Sequence, residues 1–133
     1  MIGVVVATHG KLAEEFIRTA EGVAGKMDQT VAASVVATEP DVRGQLKEAI
    51  QRVDSGEGVL LLTDLLGGSP TNLCLSFLAE RNVEVVTGVN LPMLLKLNGL
   101  RASGKPIQQI ARELADAGKN AIGHASEMLR GVH

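Results

Sequence analysis

The sequence predicts an α/β fold: a doubly wound, mainly parallel four-stranded sheet in the order 2-1-3-4, with helices on both faces. Three observations lead there. Apolar residues run together without alternation in four short stretches, as they do in strands covered on both faces. Each stretch is followed by a segment with helical spacing of its apolar residues, so strand and helix alternate four times. And 133 residues suit a single domain covering residues 1–133, long enough to bury roughly two-thirds of its unfolded surface.

The first strand is Met1 to Ala7, and helix one follows from about Gly10 to Gly25, with Leu12, Phe16, Ala20 and Val23 as its inner stripe. Thr30 to Ala37 is strand two, and Glu39-Pro40-Asp41 breaks it before Val42, Leu46, Ala49, Ile50 and Val53 set out helix two. A third strand begins at Gly58 and ends at Asp64; its helix carries Leu73, Cys74, Phe77 and Leu78 to about Arg81. Val83 to Thr87 is strand four, and the loop Gly88-Val89-Asn90 leads into a strongly apolar helix that needs another element or another subunit to cover it. Gly99 to Lys105 reads as a loop, and Pro106 starts a helix with an inner face of Ile107, Ile110, Ala111, Leu114 and Ala117 that Gly118 stops. Ala121 to Ala125 is open to reading as a fifth, antiparallel edge strand, and Glu127 to Val132 as a frayed turn.

Composition removes several classes of function. Thirteen basic and 15 acidic residues give a net charge of −2, which is no footprint for nucleic acid or a polybasic membrane patch. No apolar run reaches the ~20 residues of a membrane span, and the N-terminal run lacks a basic segment and a cleavage site, so the expected location is the cytoplasm without direct membrane insertion. Cys74 is the single cysteine and is read as core. No metal site is expected: His124 and His133 lie in the uncertain tail, and no His, Cys or Asp cluster has ligand spacing.

Chemistry concentrates at two strand exits. Thr8-His9-Gly10 follows strand one, and Asp64-Leu65-Leu66-Gly67-Gly68-Ser69-Pro70-Thr71-Asn72 follows strand three. In the order 2-1-3-4 these strands are central neighbours ~4.8 Å apart, and ligands bind outside the carboxyl ends of such strands. His9 can then donate one ring nitrogen to Asp64 and keep the other as a nucleophile. Gly67 and Gly68 allow a close backbone approach, Ser69 suits a helix N-cap, and Pro70 suits the first turn, so the free amides beside them form an anion cradle. A nucleophilic nitrogen beside an anion cradle is what phosphoryl transfer to nitrogen requires. Ser69 is a poor hydrolase nucleophile without a GxSxG elbow. Gly99 to Lys105 imitates a P-loop, but proline replaces the required Ser or Thr and no strand precedes it. An FMN carrier is the fold-level rival, against which stands the lack of Trp and Tyr.

The three segments Thr8 to Gly10, Asp64 to Asn72 and Gly88-Val89-Asn90-Leu91-Pro92-Met93-Leu94 together resemble the IIA domain of the mannose family of the bacterial phosphotransferase system (PTS), in the right order over nearly the whole chain. The resemblance implies a phosphohistidine at His9, formed through its Nε2, with Asp64 as its partner. Gly67, Gly68 and Ser69 would bind the phosphoryl group, and Thr8, Gly10, Asn90 and Pro92 would lie on the rim. It implies a cytoplasmic phosphotransferase that serves sugar transport, accepting a phosphoryl group from the phosphocarrier protein HPr and passing it to a IIB protein, and that needs no cofactor. It also implies a homodimer able to exchange a C-terminal edge strand. Many members carry IIB after an Ala/Pro-rich linker; none is seen before His133, so IIB is expected as a separate protein, and this chain is open to association with membrane permease components. The alternative is a regulatory binding module whose contacts depend on His9 phosphorylation, without sugar transport. Neighbouring genes discriminate the two.

Overall fold

A computed structural model of the chain describes residues 1–36 and 38–131. Ten elements follow one another: β1 (Gly3–His9), α1 (Leu12–Ala24), β2 (Thr30–Val35), α2 (Val42–Val53), β3 (Val59–Thr63), α3 (Ser69–Leu75), β4 (Val83–Val86), α4 (Leu91–Arg101), α5 (Ile107–Asn120) and α6 (Ala125–Leu129). The four strands pair in parallel in the order β2-β1-β3-β4, as the sequence predicts. Ala37, at the end of the expected second strand, and Val132 and His133 in the tail lie outside the described residues.

Because side chains alternate across a strand, each central strand feeds two cores. Val4, Val6, Leu60 and Leu62 face α1, α4 and α5, where they meet Ala13, Ala20, Met93, Leu97, Ile110 and Leu114. Val5, Ala7, Val59 and Leu61 face α2 and α3, where they meet Leu46, Ile50, Cys74 and Phe77. Burial among these side chains pushes the Cys74 thiol up to about 12, so it stays protonated and inert as a core residue. The strongly apolar α4 is covered from within the chain, by α1 and α5.

Several local expectations are corrected. Helix one buries Ala13 and Ala20 and half-buries Phe16 and Ile17, while Leu12 and Val23 are exposed. The stripe is rotated by about one residue because Thr8 Oγ1, at the end of β1, accepts the Ala13 amide at 2.7 Å and turns the small residues to the sheet. The third helix ends at Leu75, and turns with i→i+3 hydrogen bonds carry the chain on. Arg43 of α2 holds these turns: it donates to Ser76 Oγ and the Ser76 carbonyl, lies 4.2 Å from the Phe77 ring centroid and pairs with Glu80. Phe77 is buried, but Leu78 is exposed. The P-loop imitation is part helix, since α4 runs to Arg101; that buried guanidinium donates to the carbonyls of Ile2 and Asp28 and to Asn98 Oδ1.

Gly118 does not stop α5, which runs on to Asn120. Its missing side chain admits α4 instead: a Cβ there would sit 2.7 Å from Met93 Sδ and 3.1 Å from Asn90 Nδ2. Gly118→Val is therefore expected to destabilise the fold by about 2 kcal/mol, the usual cost of overpacking a filled core, read as a lower urea midpoint.

Among the described residues no fifth strand forms. Residues 122–124 are irregular, and Ala125–Leu129 is the short helix α6, whose Ala, Glu, Met and Leu residues are all good helix formers. Ile122, Met128 and Leu129 of this segment are exposed. Among the described residues no helix is long and apolar enough to cross a membrane.

Candidate active site

The strand register creates the site. Ala7 of β1 lies opposite Thr63, the last residue of β3, so β1 continues for two residues past its neighbour. The His9 amide, left without a strand carbonyl on that side, donates instead to Asp64 Oδ2 at 3.0 Å. The same oxygen faces His9 Nδ1 at 2.8 Å, and Asp64 Oδ1 accepts the Leu65 amide at 3.0 Å. One carboxylate thus closes the gap in the ladder and fixes the imidazole ring. Its side chain is 10% exposed and that of His9 is 51% exposed.

Burial of Asp64 opposes its charge, but the His9 amide, the hydrogen bond from the His9 ring and the electrostatic attraction of that side chain outweigh it, so the carboxyl titrates below its ordinary value. The ionised carboxylate can only accept, so Nδ1 is the donor, and in the neutral ring that leaves the lone pair on Nε2. A carboxyl lowered on folding stabilises the fold above its unfolded pKa of about 3.9, and that contribution is lost as pH falls through the lower folded value. The stability gap between wild type and Asp64→Asn is therefore expected to be full at neutral pH and to close in acid below that range, as followed by thermal melts across pH.

Gly68 lies against the ring. A Cβ on Gly68 would meet His9 Cε1 at 2.9 Å and Nε2 at 3.6 Å, so only glycine lets α3 begin this close to the imidazole. Gly67 supplies the turn with φ +84. Gly68, with extended backbone, is the N-cap, which corrects the expected capping role of Ser69: Ser69 is the first helical residue and is exposed. Among the described residues the amides of Gly67, Gly68 and Ser69 donate to no protein acceptor. Leu65 and Leu66, in the loop before them, are 50% and 77% exposed. A groove of about 420 Å³ opens beside Ser69, between Val35, Arg43 and Asn72.

The residues expected on the rim divide. Gly10 makes the turn out of β1 with φ +54. Thr8 is fully buried, and its hydroxyl is engaged with the Ala13 amide, so it shapes the start of α1 from below the surface. Asn90 caps α4, its Oδ1 accepting the Met93 amide and its Nδ2 donating to the Gly118 carbonyl; its side chain is turned to α5. Pro92 lies in a groove between α4 and α5 with Lys96 and Glu113. A hollow of about 560 Å³ between β4 and α5 contains neither His9 nor Asp64. Among the described residues no group of three or more His, Cys, Asp or Glu side chains could hold a metal ion. Thr63 and Thr71, which the sequence did not mark as part of the site, form a buried hydroxyl pair at 2.6 Å beneath the Asp64 loop.

Residues 3–115 match the family model described as EIIA-man, the PTS system fructose IIA component. The mannose-specific EIIAB component of the PTS of Escherichia coli is 27% identical over 124 residues, which are 91% of this chain but 38% of that protein. The fructose-specific EIIA component of Bacillus subtilis is 29% identical over 104 residues, covering 76% of this chain and 71% of that one. Among solved structures, a phosphotransferase system component EIIA from Streptococcus agalactiae superposes with a TM-score of 0.85 at 25% identity, over 95% of this chain and 98% of that one. The PTS IIA protein associated with the fucose utilization operon of Streptococcus pneumoniae does so with a TM-score of 0.80 at 32% identity, over 96% and 95%.

Proposed function

We propose a function from a single premise: this chain belongs to the EIIA-man family of phosphotransferase-system IIA components. On that reading residues 1–133 act as one phosphocarrier domain that accepts a phosphoryl group from HPr on His9 and delivers it to a IIB protein. The observation that carries the reading is the 2.8 Å contact between His9 Nδ1 and Asp64 Oδ2, which leaves Nε2 open on a half-exposed ring against Gly68.

The Nε2 lone pair attacks the phosphorus of phosphorylated HPr in line. The P–N bond to Nε2 forms as the P–N bond to the HPr histidine breaks, and the electron pair of the breaking bond returns to that imidazole. The His9 ring keeps its Nδ1 proton and becomes positively charged, so the Asp64 carboxylate gains a counter-charge only as the reaction proceeds. Asp64 orients and stabilises; it takes no proton. The amides of Gly67, Gly68 and Ser69, with the Ser69 hydroxyl, receive the phosphoryl oxygens. One well-placed donor of this kind is worth about 3 kcal/mol in the transition state, or roughly a hundredfold in rate. Donor and product are both phosphohistidines, so transfer is reversible and requires no nucleotide.

Exposed Leu65 and Leu66, in the loop between Asp64 and Gly67, offer an apolar surface to a protein donor, and the exposed Ile122, Met128 and Leu129 offer a surface to a second copy, in keeping with a cytoplasmic homodimer. The test is mass spectrometry of the intact chain and its peptides after incubation with phosphorylated HPr. One phosphoryl group on the peptide containing His9 is expected, and none after incubation with ATP and magnesium alone. Modification elsewhere, or stable labelling by ATP, would overturn the assignment.

A further inference from the structure

We propose that Thr71 is a positioning residue for phosphoryl transfer, acting through the Leu65 peptide to hold the Asp64 carboxylate, and through it the His9 ring, in the reactive arrangement. The proposal rests on His9 being the phosphoryl acceptor. Thr71 lies in the first turn of α3 and Thr63 at the last position of β3; both are fully buried, and their hydroxyl oxygens are 2.6 Å apart. Thr71 Oγ1 donates to the Leu65 carbonyl, also at 2.6 Å. A hydroxyl has one proton, so with that proton committed to Leu65 the Thr63 hydroxyl must be the donor between the two threonines. The chain of bonds has one direction, from Thr63 to Thr71 to the Leu65 carbonyl.

Leu65 is thereby held at both ends. Its carbonyl accepts from Thr71, and its amide donates to Asp64 Oδ1, whose partner oxygen carries both His9 bonds. Fixing the carbonyl also fixes the plane of the Leu65–Leu66 peptide, and with it the path by which the loop reaches Gly67 and Gly68. Leu65 itself is half exposed and Leu66 largely exposed, so side-chain packing does little to hold this loop. Two polar ties hold it among the described residues, and Thr71 supplies the one on the α3 side. Positioning of this kind matters because displacement by about 1 Å can cost on the order of a hundredfold in rate.

The test compares Thr71→Val, Thr71→Ser and Thr63→Val in the full chain. Two readouts are taken: the tautomer of His9 by ¹⁵N NMR of its ring, and single-turnover transfer from phosphorylated HPr at limiting and saturating donor. Thr71→Val is expected to replace the single Nδ1–H tautomer by a mixture and to slow transfer at saturation by about tenfold to a hundredfold. The half-saturating HPr concentration should be unchanged. Thr71→Ser should restore both signals. Thr63→Val should lose far less, because Thr71 still donates to Leu65. If Thr71→Val does not fold, Thr71→Ala is read in its place. A Thr71→Val protein with the wild-type tautomer and rate would overturn the proposal, as would equal effects of Thr63→Val and Thr71→Val, or a Ser variant that fails to rescue. If the wild type takes no phosphoryl group from HPr, the phosphocarrier reading falls, and the ring tautomer alone still decides whether Thr71 positions His9.

Discussion

Asp64→Asn is expected to slow phosphoryl transfer to His9 by about a thousandfold, and His9→Ala to end it. The carboxylate has three incoming donors: the His9 amide and His9 Nδ1 on Oδ2, and the Leu65 amide on Oδ1. An asparagine of the same shape has one oxygen and one NH₂ group. With its oxygen toward His9, its NH₂ meets the Leu65 N–H; with its oxygen toward Leu65, its NH₂ meets the His9 amide and drives the ring proton to Nε2. The first arrangement loosens the loop, and the second removes the nucleophilic lone pair. Neither provides the negative charge that the phosphorylated ring needs. Where a carboxylate orients a reacting histidine, loss of that role costs about three to four orders of magnitude in turnover. Rapid-quench single turnovers with phosphorylated HPr measure it. A variant within tenfold of wild type would mean that Asp64 does not orient His9 in the reaction.

The juxtaposition behind that expectation was legible because it depends on few things. Continuous apolar runs marked strands buried on both faces, alternation with helices gave the strand order, and the order brought the exits after Ala7 and Thr63 side by side. Legibility ended where a long-range contact overruled a local pattern. The phase of α1 follows the Thr8 hydroxyl, and although Ala20 is buried as expected, Ala13 carries too little hydrophobic weight to outvote Leu12 and Val23 in a periodicity. The early end of α3 depends on Arg43, 33 residues before the Ser76 that it holds. Gly118 has the composition of a helix stop, yet it serves a crossing with Met93 that only the packing of α4 on α5 reveals. In the site itself, Thr63 ends β3 and Thr71 lies in the first turn of α3; nothing in their spacing of eight said that their hydroxyls would meet.

Gly67 and Gly68 differ in what they do, and substitution should separate them. Gly68 has φ −82 and ψ 166, a conformation any residue adopts, so an L side chain there costs the backbone little. In space it meets His9 Cε1 at 2.9 Å and Leu65 Cδ1 at 3.0 Å. Leu65 Cδ1 is the end of a half-exposed side chain and can turn away, so the contact that matters is with the ring, which Asp64 holds through Nδ1 and which the new side chain would displace from that position. Gly68→Val is therefore expected to slow transfer by about a hundredfold with little change in stability. Gly67 is the converse: nothing lies within 4 Å of its Cβ position, but φ is +84. Gly67→Ala should cost about 1–2 kcal/mol of stability through backbone strain, with a smaller effect on rate per folded molecule. Urea denaturation and single-turnover rates on both variants read the two effects separately. Close packing against the imidazole requires that the rate fall at 68 and the stability at 67; the reverse pattern would place the ring away from the start of α3.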